Sequence, residues 1–376
     1  MIMLIKRRRL KLNNNDFVSS DKTRSLIKEH SKITEELLAM ASGSNDVKIE
    51  LNWDACPAHN VTRMLNGHFT GTVVKIHHPK TPFISIGTTV NVCGVCIYKL
   101  KNEISIDDFK QRVISAMEYS PKPYTWNNFN RGNHFVSLME SDGFGVLENG
   151  QYLVVHASSN EYRNMLYPNK NVWYENDIKI ITHPKDPKRS LSYITGTTAE
   201  KFYKIAENLI PFNQKRNRDF SECVLGTNAD KEILNIQHYG MPDIETVCIG
   251  VQWETDDLLP LLTAPGKDIY IVKAKNGQKY FPHGLGLEIY DGDIHYTDNN
   301  GMYVGTKFLT SKDSLSIGID AHNRADKRAP EDCVQEILKF YPATIEGKLK
   351  QIASFSARGF EIWRNFNDKS YFFASC

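Results

Sequence analysis

The stretch Val90-Asn91-Val92-Cys93-Gly94-Val95-Cys96-Ile97-Tyr98-Lys99-Leu100 decides how the chain is read. Cys93 and Cys96 have the C-x-x-C spacing of a redox dithiol or of half a zinc knuckle. A redox pair sits where a strand turns into a helix. Here the β-branched and apolar residues on both sides predict strand throughout. No second C-x-x-C exists in the sequence, which argues against a four-cysteine zinc site. Two readings remain: one metal thiolate with the other cysteine in the core, or two buried structural thiols.

Working outward, the same alternation of short β-branched runs recurs at Thr72–Ile76, Phe83–Ile86, Tyr152–His156, Ile178–Ile181, Thr246–Val251 and Ile269–Ala274. Helical spacing marks Ser20–Met40, Ile106–Met117, Ala199–Leu209 and Pro330–Tyr341, the last with acidic residues near its start and Lys339 near its end. This mixture predicts an α+β fold with mixed sheets around a cleft and peripheral helices. No Pro/Gly-rich linker divides it and no internal repeat is present. The expected organisation is a basic, helical N-terminal extension over residues 1–45 and one catalytic domain over residues 46–376.

Composition narrows the function. Of 376 residues, 41% are hydrophobic, with 18 Phe, 17 Tyr and 5 Trp, enough apolar surface to exclude global disorder. Lys+Arg and Asp+Glu number 46 and 44, so the chain is not a charge-only nucleic-acid binder, although a local basic groove is compatible with that balance. No apolar run reaches the ~18 residues of a membrane helix. The opening Met1-Ile2-Met3-Leu4-Ile5 precedes Lys6-Arg7-Arg8-Arg9, the reverse of a secretory signal. Seven scattered cysteines, an odd number, predict reduced thiols and a cytoplasmic compartment.

The histidines carry the chemistry. Gly132-Asn133-His134-Phe135 is followed by the strand Tyr152-Leu153-Val154-Val155, which exits on His156. His238 follows the apolar Ile233-Leu234-Asn235-Ile236, and Tyr280-Phe281-Pro282-His283-Gly284-Leu285-Gly286 sets a histidine among small residues, where a flat charged ligand can reach both imidazole and backbone. Singly, each histidine is more often a satisfied polar residue, and the last motif is equally a simple glycine turn. Lys185–Arg189 and Lys215–Arg218, the latter near Tyr203, Phe212 and Phe220, could contact an RNA end or be solvated loops.

Taken in order from about Asn66 to Gly359, these elements resemble the RtcB family of GTP-dependent RNA ligases. The resemblance implies joining of RNA 3′-phosphate or 2′,3′-cyclic-phosphate ends to 5′-hydroxyl ends through a guanylylated histidine. It implies manganese, generally a pair of ions, held by Cys93, His134, His156 and His238. It makes His283 the nucleophile and places Asn133, Gly266, Gly284, Leu285, Gly286 and Arg358 around GTP. Several family positions are replaced: an aspartate by Asn91, an Asp-x-His element by Asn66-Gly67-His68, an acidic residue by Ser137, an arginine by Leu287 and a lysine by Arg358. A fast-diverging homologue, such as one carried by a virus or phage, has this character. The replacements motivate a second expectation, a degenerate homologue that binds RNA ends or metal without ligating. A third is a Cys/His zinc hydrolase unrelated to ligation.

Overall fold

Strand Cys93–Leu100 lies inside the largest sheet of the protein, between strands Asn149–Ser158 and Ala229–Gln237. The computed structural model describes residues 21–58, 61–126, 129, 134–168, 171–263, 266–275, 277–284, 294–298, 301–304, 307–310 and 330–363. The large sheet runs in the order Leu258–Leu261, Ile269–Ala274, Ala343–Ser356, Phe135–Asp142, Asn149–Ser158, Cys93–Leu100 and Ala229–Gln237, with Gly359–Ile362 paired to Ala343–Ser356; every pairing is antiparallel. Together with its helices this makes the chain α+β, as the pattern of elements predicts, but the expected mixed sheets are absent among the described residues: their strands all pair antiparallel, as hairpin and meander connections allow.

Alternation along the cysteine strand gives the sheet two apolar faces. Val95 and Ile97 pack on one side with Met139, Val154, Leu234 and Ile236. Cys96 and Tyr98 face the other side, against Phe109 and Val113 of helix Ile106–Tyr119 and Phe220 and Val224 of helix Thr197–Leu225. The shorter helix begins on Ser105, whose side chain accepts from Asp108 N at 3.0 Å, with Asp107 and Asp108 in its first turn.

A second, four-stranded antiparallel sheet contains Asp46–Cys56, Thr70–His77, Thr246–Ile249 and Tyr239–Asp243. Helix Asp21–Ser42 lays Leu37 and Leu38 into its core beside Val74 and Ile76. His238 is the one residue between strand Ala229–Gln237 of the large sheet and strand Tyr239–Asp243 of the smaller one. Two more residues of interest sit at the same junction: Asp54 in the first strand of the smaller sheet, and His283 just beyond the short strand Phe281–Pro282.

Two elements differ from expectation. Strand begins at Cys93, not Val90, because Thr89 and Val92 have φ of 49°, outside the extended region. The helix expected over Ala199–Leu209 continues to Leu225 through an exposed Pro211. Its second half is held by packing, since Asn213, Arg216, Asn217, Phe220 and Val224 are buried against the sheet. Among the described residues no helix is long and apolar enough to cross a membrane.

Candidate metal centre

The register of the large sheet brings the donors together. Val95 and Phe135 both pair with His156, so the start of the cysteine strand, the end of the His156 strand and the entry to strand Phe135–Asp142 meet at one edge. His238 joins them through its backbone, donating to Cys93 O at 3.0 Å. One ligand atom each from Cys93, His156 and His238 lies within 4.8 Å of the other two, and all three residues are buried. His156 Nε2 and His238 Nε2 are 3.2 Å apart, and His134 Nε2 is 3.2 Å from Cys93 Sγ. Burial first, then the neighbouring His156, His283 and His134, hold the His238 imidazole well below its ordinary pKa. It is therefore neutral at physiological pH, the form that ligates a metal.

The loop before Cys93 is tied down from the other side of the cluster. The Tyr239 hydroxyl, next to His238, lies on the carbonyl oxygens of Thr88 and Thr89. Arg63 donates from Nε to Thr89 Oγ1 at 3.2 Å and stacks 4.6 Å from the Tyr239 ring centroid. Positive φ at β-branched Thr89 and Val92 is strained backbone, tolerated only where surroundings over-determine it, and here it aims Cys93 at the histidines. Asn91 donates from Nδ2 to Cys93 Sγ at 3.2 Å. Cys96 lies on the opposite face, where burial and then Glu232 push its thiol well above the ordinary range. Of the two cysteines, Cys93 is the one in the cluster.

His283 stands beside this group, its ring centroid 5.2 Å from that of His238. Its Nδ1 is 2.6 Å from Asp54 Oδ2, the same oxygen that accepts from Gly284 N at 3.2 Å. A carboxylate accepts, so Nδ1 carries a proton, and in the neutral form of the ring Nε2 is the nitrogen with the lone pair. Asp54 was missed by sequence reading. Nothing in the local sequence marked it: Asp54 continues the alternating polar positions Asp46, Lys48, Glu50 and Asn52 of strand Asp46–Cys56, and its burial shows only in the fold. Gly250 was also missed. A Cβ there would stand 3.0 Å from His283 Cε1, so glycine lets the main chain approach the ring.

Of the nucleotide positions, Gly284 adjoins Asp54 and bridges Leu262, whose N–H donates to His283 O at 2.8 Å. Gly266, four residues after Leu262, donates its N–H to Gln351 and lies where a side chain would overlap the Trp363 ring. Arg358 stacks over the same indole at 5.6 Å and pairs with Glu361 at 2.6 Å. Asn133, Leu285, Gly286 and Leu287 lie outside the described residues. Ser137 is occupied by Gln351, which donates to it at 3.0 Å. His68 meets Ser85 at 2.9 Å and is not a member of the Cys/His group.

The basic run Lys215–Arg218 is part of a helix, not a loop, and three of its charges are paired. Arg216 is buried against Glu161 at 2.8 Å, Lys215 pairs with Asp219, and Arg218 pairs with Glu232. In Lys185–Arg189, Arg189 pairs with Asp186 at 3.7 Å.

No family model matches the chain, and no curated protein matches it. The donor set nonetheless fits a divalent transition metal: one thiolate and two imidazoles, buried and converging, with His134 beside them, could hold such an ion. Glycines 250 and 284 beside the His283 ring are buried, and Thr70 and Leu262 fill the space a side chain there would take.

Proposed function

We propose that the protein is an RtcB-like ligase that joins RNA 3′-phosphate or 2′,3′-cyclic-phosphate ends to 5′-hydroxyl ends with GTP. One observation carries this reading: a buried Cys93–His156–His238 cluster beside a histidine whose Nδ1 is held by a buried carboxylate. Cys93, His156 and His238, flanked by His134, would hold the metal, which neutralises charge that develops on phosphoryl oxygens. Thiolate and imidazole by themselves suit zinc, so manganese, as one ion or a pair, follows from the family resemblance alone.

Within this reading, Asp54 fixes the His283 tautomer so that Nε2 attacks the α-phosphorus of the nucleotide. A phosphoramidate forms, and pyrophosphate leaves. The guanylyl group then passes to the RNA 3′-phosphate, freeing His283, and the 5′-hydroxyl displaces GMP as the new phosphodiester forms.

A second reading rests on the Asn91 amide directed at Cys93 and on Ser137 capped by Gln351, two family acidic positions turned to internal hydrogen bonds. It is a homologue that binds ends without joining them. Incubating the metal-loaded protein and GTP with RNA bearing 3′-phosphate and 5′-hydroxyl ends separates the cases. Ligation predicts joined product. Bound but unjoined RNA supports the second reading, and cleavage or dephosphorylation supports a zinc hydrolase.

A further inference from the structure

Behind the metal cluster, on the opposite face of the large sheet, a line of buried side-chain amides crosses three adjacent strands. Asn213, fully buried on helix Thr197–Leu225, donates from Nδ2 to Ala157 O at 3.3 Å and to Gln237 Oε1 at 3.1 Å. Ala157 follows His156, and Gln237 precedes His238. The strand between them carries Cys93, and its Gly94 is paired in register with Ala157 on one side and Gln237 on the other. A Cβ on Gly94 would overlap Gln237 Nε2, so the glycine is the gap through which the Gln237 side chain reaches across the cysteine strand. The Ala157 carbonyl can only accept, which fixes the orientation of the Asn213 amide and makes Gln237 Oε1 its second acceptor. The helix is held at this height by a reciprocal pair one residue on: Gln214 donates to Asn235 O at 3.2 Å, and Asn235 donates to Gln214 O at 2.8 Å.

We propose that the Asn213–Gln237 amide pair, lying over Gly94, is a positioning clamp that sets the spacing of His156 and His238 around Cys93 and so tunes metal affinity and geometry. The inference rests on the metal reading above. The clamp touches no metal donor. It fixes the strand positions next to two histidines and leaves the rings free to face the other side of the sheet. Groups that hydrogen-bond a metal ligand directly commonly account for roughly 10–100-fold in metal affinity, and a clamp one residue removed from two ligands belongs at the lower end of that range. Burying two amides costs more than burying apolar side chains would, and with Asn213 Oδ1 and Gln237 Nε2 lacking partners that cost is only partly offset, so packing alone gives no reason for them here.

The test uses Co²⁺ titration of the full chain, following the thiolate-to-cobalt charge-transfer band and the visible ligand-field bands. Asn213→Leu removes the donor, and Gln237→Met removes the acceptor without altering the helix, so the second variant decides if the first does not fold. Asn208→Ala, on the exposed face of the same helix, is the control. The clamp predicts about 10-fold weaker Co²⁺ binding and shifted ligand-field bands in either folded variant, with the control unchanged. Wild-type affinity and band positions in a folded Gln237→Met protein would overturn it while leaving the metal reading intact. If the wild-type protein shows no thiolate–cobalt band, the metal reading itself fails, and the clamp with it.

Discussion

At the residue scale, the pairing of His283 with Asp54 is the feature on which the proposed chemistry turns. A carboxylate 2.6 Å from Nδ1 selects the tautomer that leaves Nε2 nucleophilic. Asp54→Asn keeps the shape but can offer Nδ1 a donor, which favours the wrong tautomer. On the proposed mechanism it slows formation of the covalent nucleotide adduct by about 100-fold or more, while Co²⁺ affinity stays within a few-fold of wild type. Single-turnover labelling at equal metal loading measures this, and an unchanged rate contradicts the role given to Asp54. His283 was legible in the sequence from its small neighbours. Asp54 was not, because the strand that carries it is 229 residues away and only the fold shows the two meeting. The cysteine choice had a similar limit. A period-two strand puts Cys93 and Cys96 on opposite faces, but sequence does not say which face the histidines share.

At the element scale, helix Thr197–Leu225 links the sheet to the loop that follows His156. Arg216 and Glu161 form a buried pair at 2.8 Å, and the same Glu161 oxygen accepts from Thr125 N at 2.7 Å. Removing one partner leaves an uncompensated charge in the interior. Arg216→Met is therefore expected to cost about 3–5 kcal/mol, with Arg216→Met/Glu161→Leu recovering much of the loss. Urea unfolding of the three proteins checks this, and a double variant no more stable than Arg216→Met contradicts it. The sequence offered the run Lys215–Arg218 as an RNA contact or a solvated loop; in the fold it is helical, and each of its charges has a carboxylate partner. On a helix, residues 215, 216 and 218 point in different directions, and each finds its own carboxylate. Apolar periodicity located the first half of the helix; past Pro211, buried polar residues replaced apolar ones and the signal faded.

At the scale of the whole molecule, the centre lies where two antiparallel sheets meet. Cys93 and His156 belong to the large sheet, Asp54 to the smaller one, and His238 is the single residue between them. The α+β class and most strands were legible, since β-branched runs bounded by turns are a local signal. The sheet order was not, because every pairing that assembles the centre is long-range. The order of Cys and His motifs along the chain nonetheless named three residues that the fold brings together, Cys93, His156 and His238, with His134 and His283 against them. The central claim is that this centre activates His283 for attack on a nucleotide. It is tested most directly by incubating the full-length protein with α-labelled GTP and Mn²⁺, then mapping label that survives denaturation. The account predicts one acid-labile guanylyl group on His283, absent in His283→Ala protein that still binds metal. A folded, metal-loaded wild-type protein that takes up no label, or takes it up at another residue, contradicts it.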